Sequence, residues 1–76
     1  MKEVQIRLST IADVRDFVNA VTAFTGDVDL AAGRYLVDGK SLMGIFSLDL
    51  MSPITAKVNG GDEEKMTQFL TERFGA

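Results

Sequence analysis

The chain has 76 residues, a formal charge of −3 and neither cysteine nor histidine. That length fits a single domain spanning residues 1–76, with a core that leaves a modest stability margin. The missing thiol and imidazole exclude disulfides, thiolate chemistry and the commonest general base and metal ligand, and the acidic balance argues against a nucleic-acid surface.

No run is long enough to span a membrane and no signal peptide opens the chain, which together with the absence of cysteine suggests a cytoplasmic protein. Lys2 to Leu8 alternates, with Val4, Ile6 and Leu8 on one side and Glu3, Gln5 and Arg7 on the other. This is the pattern of a half-buried strand. Ser9 or Thr10 can cap the helix that follows, with Asp13 near its positive end. Ile11, Val14, Phe17, Val18, Val21 and Phe24 recur at helical spacing and read as a core-facing stripe, and Gly26 is a natural stop.

Asp27 to Ala32 alternates again, with Val28 and Leu30 on one face. Gly33-Arg34 reads as a hairpin turn and Tyr35 to Val37 as the returning strand. Asp38-Gly39 is a further turn, after which Ser41 stands at the N-cap position of a short helix. Pro53 closes the region behind that helix. Ile54, Ala56 and Val58 alternate with Thr55, Lys57 and Asn59 in a fourth strand. Asn59-Gly60-Gly61 breaks it, and Asp62 caps a last helix with Glu63 and Glu64 in its first turn. Met66, Phe69, Leu70 and Phe74 form the apolar side of that helix, and Gly75 ends it.

The order is therefore β-α-β-β-α-β-α, an α+β domain with a four-stranded antiparallel sheet and three helices on one face. The other sheet face carries Glu3, Gln5, Arg7, Asp27, Asp29, Thr55 and Lys57, which suits water.

The short helix has more apolar residues than one buried side needs. At about 100° per residue, with Leu42 at zero, Phe46 falls near ~40°, Met43 near ~100°, Leu48 near ~240° and Ile45 near ~300°. The arc of roughly 220° exceeds the stripe of about 100° or more usual for a surface helix. Either Ile45 and Leu48 face the core while Leu42, Met43 and Phe46 face outward, or the reverse. A contiguous outward set suggests a protein partner, unless it folds under the loop Leu50-Met51-Ser52.

Lys40-Ser41-Leu42-Met43-Gly44 at this place in this element order resembles the regulatory-serine segment of HPr, the small phosphocarrier of the bacterial phosphoenolpyruvate-dependent sugar phosphotransferase system. The resemblance covers nearly the whole chain and is strongest from Phe24 through Asp27-Val28-Asp29-Leu30 to Leu48, and Asn59-Gly60-Gly61-Asp62-Glu63-Glu64 also looks familial. It implies an HPr-like open-faced β-sandwich. The chain departs from the family where the phosphate is carried. HPr proteins use a Gly-hydrophobic-His-x-Arg-Pro motif at the first helix. Counted back from Phe24, the histidine position falls on Thr10, the arginine on Ala12 and the proline on Asp13. A threonine ester would not pass phosphate on as a phosphoramidate does, and no neighbouring arginine is expected to hold it. The expectation is a non-enzyme without phosphocarrier activity, with Thr10 serving as a cap and no cofactor or metal.

By the same resemblance, Ser41 matches the residue that a dedicated kinase phosphorylates in many HPr proteins. Leu42, Met43 and Phe46 match the patch that meets HPr's enzymes and a transcription regulator, with Lys40 beside it. The local reading of Ser41 is a helix cap worth about 1 kcal/mol. The implied role is a regulatory module of carbon catabolite control, monomeric or weakly self-associating. The competing roles are an inert competitor docking to the phosphotransferase enzymes, and a diverged domain that is purely structural or oligomeric. The acid pairs Asp27/Asp29 and Glu63/Glu64 fit a solvated strand edge and a helix start better than catalysis or metal binding.

Overall fold

The computed structural model describes all residues, 1–76. In chain order the elements are β1 (Lys2–Ile6), α1 (Ile11–Ala23), β2 (Asp27–Ala32), β3 (Tyr35–Asp38), α2 (Leu42–Phe46), β4 (Ile54–Asn59) and α3 (Glu63–Phe74). The strands form one antiparallel sheet in the order β1-β4-β2-β3. The alternation in each strand sets its register. Val28 and Leu30 of β2 face Val58 and Ala56 of β4, while Asp29 faces Lys57 on the opposite side. A slip of one residue would bury Asp29 and expose the valines and leucine, so the pairing is tightly specified.

The core lies between that apolar face and the helices. Ile6, Leu8, Val14, Phe17, Val21, Val28, Leu30, Ile45, Leu48, Ile54, Ala56, Val58, Met66, Leu70 and Phe74 make one buried cluster, and no polar or charged residue is buried with them. Phe17 of α1 meets Phe74 of α3 edge to face, with ring centroids 5.9 Å apart. That geometry suits the ring quadrupoles and ties the two long helices together above the sheet.

Four readings need correction. β1 ends at Ile6 rather than Leu8, because its ladder with β4 stops at Ile6 opposite Ile54: the next place would set Arg7 against Pro53, which has no amide to donate. β3 runs one residue beyond Val37, to Asp38. Ile11 is 77% exposed rather than in the core. It opens the helix about 90° away from the centre of the Val14, Phe17 and Val21 stripe. Gly26 does not stop α1 through a left-handed cap: the helix ends at Ala23 with Phe24 already extended. Gly26 is a site of close approach instead, where an added Cβ would overlap the Gly60 carbonyl.

Candidate functional site

The loop from β3 into α2 is held by a sequence of local hydrogen bonds. The Asp38 carboxylate accepts the Lys40 amide at 2.9 Å, and the Asp38 carbonyl accepts the Ser41 amide at 3.0 Å. Ser41 Oγ then accepts the Gly44 amide at 3.0 Å, and the Ser41 carbonyl accepts the Ile45 amide at 3.0 Å. This N-cap satisfies one of the otherwise orphaned donors of the first turn. Gly44 lets α2 sit close to β3, since an added Cβ would stand 3.3 Å from Val37 Cβ and 3.0 Å from Ser41 Oγ. At the other end Ser47 donates its hydroxyl to the Gly44 carbonyl at 2.6 Å, closing the helix after five residues.

Burial separates the two sides of α2. Ile45 is fully buried and Leu48 is 7% exposed, while Met43 is 83% exposed and Leu42 and Phe46 are just under half exposed. The following loop does not fold over this outer set: Leu50 packs against the core edge, but Met51 is 86% exposed. Lys40 is exposed and takes part in no ion pair.

Thr10 stands at the N-cap of α1. Its Oγ accepts the Asp13 amide at 3.0 Å, and the Asp13 carboxylate accepts the Ser9 amide at 3.1 Å. This reciprocal arrangement resembles a capping box and occupies the hydroxyl with local structure. The fold nevertheless brings Thr10 to α2. A cleft of about 420 Å³ is lined by Arg7, Leu8, Ser9, Thr10 and Ile11 on one side and Phe46, Leu50 and Met51 on the other.

Of the eight, the sequence singles out only Thr10 and Phe46 for a site. It places Leu8 and Ile11 on apolar core faces, Ser9 as an alternative cap, Leu50 and Met51 in the loop after α2 and Arg7 on the solvated sheet face. Arg7 and Thr10 border the same cleft. The signal for Ile11 is its position at the margin of the helical stripe; nothing in the local sequence marks Arg7, whose place depends on β1 ending early.

The acid pairs lie elsewhere. Asp27 and Asp29 are exposed on the outer sheet face. Glu63 accepts the Gly60 amide at 2.7 Å and pairs with the amino terminus of Met1 at 3.2 Å. The Gly60 hydrogen bond first, and the amino terminus second, hold its carboxyl below the ordinary value of 4.5. No three His, Cys, Asp or Glu side chains gather where they could hold a metal ion. No helix is long and apolar enough to cross a membrane.

No family model matches the sequence, and no curated protein matches it. Among solved structures, the chain is similar to HPr-C-His from Thermoanaerobacter tengcongensis, with a TM-score of 0.83 and 26% sequence identity. The match covers 95% of this chain and 89% of that one. The sheet order, the three helices and this match together identify the architecture as the HPr-like fold, and they support a relationship to the phosphocarrier family.

Proposed function

We propose that residues 1–76 form a single HPr-like domain that acts as a regulatory protein-binding module, without histidine phosphocarrier activity and without enzymatic activity of its own. The observation that carries this reading is the split of α2. Ser41 caps the helix, and Leu42, Met43 and Phe46 stay outside a core that already holds Ile45 and Leu48. The chain contains no histidine to form a phosphoramidate, and the Thr10 hydroxyl is occupied as a cap.

In this reading Ser41 is phosphorylated by an HPr kinase. The phosphate adds about −1.5 to −2 charge beside the free amides of the first turn, with Lys40 adjacent in sequence. The modification acts by changing the charge of a surface, since Ser41 is not part of the buried cluster. Its partners are an HPr kinase, a transcription regulator or the phosphotransferase enzymes, in a cytoplasmic setting.

A second reading draws on the cleft between Thr10 and Phe46. It joins the start of α1, where the family carries its histidine, to the α2 patch. A protein that keeps both halves of that surface without the histidine would dock to phosphotransferase enzymes as an inert competitor. Calorimetric titration with an HPr kinase tests the first reading. Wild type binds, and Met43→Ala and Phe46→Ala each weaken binding about tenfold, equivalent to about 1.4 kcal/mol. Binding unchanged in both variants would reject the α2 surface. Slowed phosphate flow from phosphoenolpyruvate to authentic HPr at excess protein would favour the second reading.

A further inference from the structure

The two edges of the sheet are finished differently. The outer edge of β1 is covered by the end of the chain: the Arg7 amide donates to the Phe74 carbonyl at 2.8 Å, the Ala76 amide donates to the Gln5 carbonyl at 3.2 Å, and Ile6 faces Gly75 in an antiparallel bridge. The outer edge of β3 has no such cover, because β3 pairs with β2 alone.

The phase of the β2–β3 ladder shows which groups face that open edge. The Gly39 amide donates to the Val28 carbonyl at 2.7 Å, and the register continues with Leu30 opposite Val37 and Ala32 opposite Tyr35. Antiparallel ladders alternate bonded and non-bonded pairs. Ala31/Leu36 and Asp29/Asp38 are therefore the non-bonded pairs, and the main-chain groups of Leu36 and Asp38 point away from β2. The Asp38 carbonyl accepts the Ser41 amide; the Leu36 amide and carbonyl face the edge. The strand Tyr35-Leu36-Val37-Asp38 has no proline, lysine or bulge to guard it, and Tyr35 and Leu36 are 65% and 61% exposed.

We propose that this edge is occupied by β3 of a second copy, antiparallel, about a two-fold axis at Leu36. Leu36 then bonds through both main-chain groups to the partner's Leu36, and the two sheets join into one. What selects this occupant is charge. Arg34 and Asp38 stand two places either side of Leu36, so the two-fold sets Arg34 against the partner's Asp38 at both ends of the contact. Neither residue has an ion pair within its own chain. Asp38 also lies directly opposite Asp29, an unfavourable pairing of like charges that the incoming arginine offsets. A register slipped by two places in one direction sets Arg34 against the partner's Lys40, and in the other against Leu36, so neither alternative pairs opposite charges. Leu36 faces Ala31 on the sheet side turned away from the core. The contact is thus separate from the α2 patch and stands whether or not the proposed regulatory role does.

The test is sedimentation equilibrium of the purified chain and three variants, each checked for folding by circular dichroism. The wild-type mass should rise with concentration from 8.3 kDa towards twice that value, and Leu36→Lys should raise the dimer dissociation constant at least tenfold. Arg34→Glu and Asp38→Arg each oppose like charges in a homodimer and should remain monomeric where wild type pairs. Their equimolar mixture restores both ion pairs and should dimerise. Asp38→Arg also loses the acceptor of the Lys40 amide, so the Leu36→Lys result carries the test if that variant fails to fold. A wild-type monomer at millimolar concentration, dimerisation undiminished in Leu36→Lys, or a mixture of the two folded charge variants no more associated than either alone would each overturn the proposal.

Discussion

Ser41 Oγ accepts the Gly44 amide at 3.0 Å, so the hydroxyl proposed as the phosphorylation site is also the group that starts α2. Replacing it with alanine removes the cap and leaves the amide to water. Ser41→Ala should cost about 1 kcal/mol, a fall in Tm of roughly 4–8 °C for a domain of this size. Ser41→Asp should restore most of the loss, because a carboxylate also caps. Thermal denaturation followed by circular dichroism reads both. A Tm unchanged in Ser41→Ala would mean the hydroxyl does not hold the helix.

The two sides of α2 should respond differently to truncation. Ile45 is fully buried while Met43 is 83% exposed. Ile45→Ala should destabilise by about 2–5 kcal/mol through lost burial and the cavity left behind. Met43→Ala should stay within about 0.5 kcal/mol. Urea unfolding measures both, and comparable losses at the two positions would contradict the assignment of faces.

Much of this was legible in the residues because burial follows periodicity. The alternation Val28-Asp29-Leu30 placed β2 and its faces, and Val14, Phe17 and Val21 placed the buried side of α1. The arc of α2 posed the right question, but only the position of α2 against Val37 and the core answered it, by taking Ile45 and Leu48 inward. What failed depends on distant partners. Gly26 looked like a helix stop, yet it serves a close approach to Gly60, 34 positions later by residue number. Arg7 reads as the last polar residue of a strand, yet β1 ends before it because the place opposite on β4 falls on Pro53, ahead of the strand that begins at Ile54. Helical spacing groups Leu42, Met43 and Phe46 as one patch and leaves Thr10 apart as a cap, while the cleft that joins Thr10 and Ile11 to Phe46 and Met51 arises only where the fold brings the start of α1 beside the loop after α2.

Gly26 and Gly33 should differ when replaced by alanine. A Cβ on Gly26 overlaps the Gly60 carbonyl and stands 2.8 Å from the Asn59 carbonyl oxygen, main-chain atoms with little room to move. Gly33 has open space around it and a φ of 59°, so alanine there meets only backbone strain. Gly33→Ala should cost about 1–2 kcal/mol. Gly26→Ala should exceed it, at up to about 3 kcal/mol. Denaturant midpoints decide the order, and the reverse ranking would show that the Gly26–Gly60 approach is not tight.

Glu63 gives a pH signature. Its folded carboxyl titrates below the ordinary 4.5, chiefly because it accepts the Gly60 amide. A depressed folded value means that its contribution is present above the unfolded pKa and is lost as pH falls through the folded one. Wild type should therefore be more stable than Glu63→Gln at neutral pH, with the gap closing as pH drops below about 4.5. Thermal melts of both proteins across that range provide the check. A gap that stays constant with pH would remove the ionic part of the contact.

The central claim concerns Ser41, and the most direct measurement is intact-mass spectrometry after incubation with an HPr kinase and ATP, with Ser41→Ala alongside. The account predicts a gain of about 80 Da, one phosphate, in wild type and none in the variant. No gain in wild type, or an equal gain in Ser41→Ala, would contradict it and leave Ser41 as a helix cap alone.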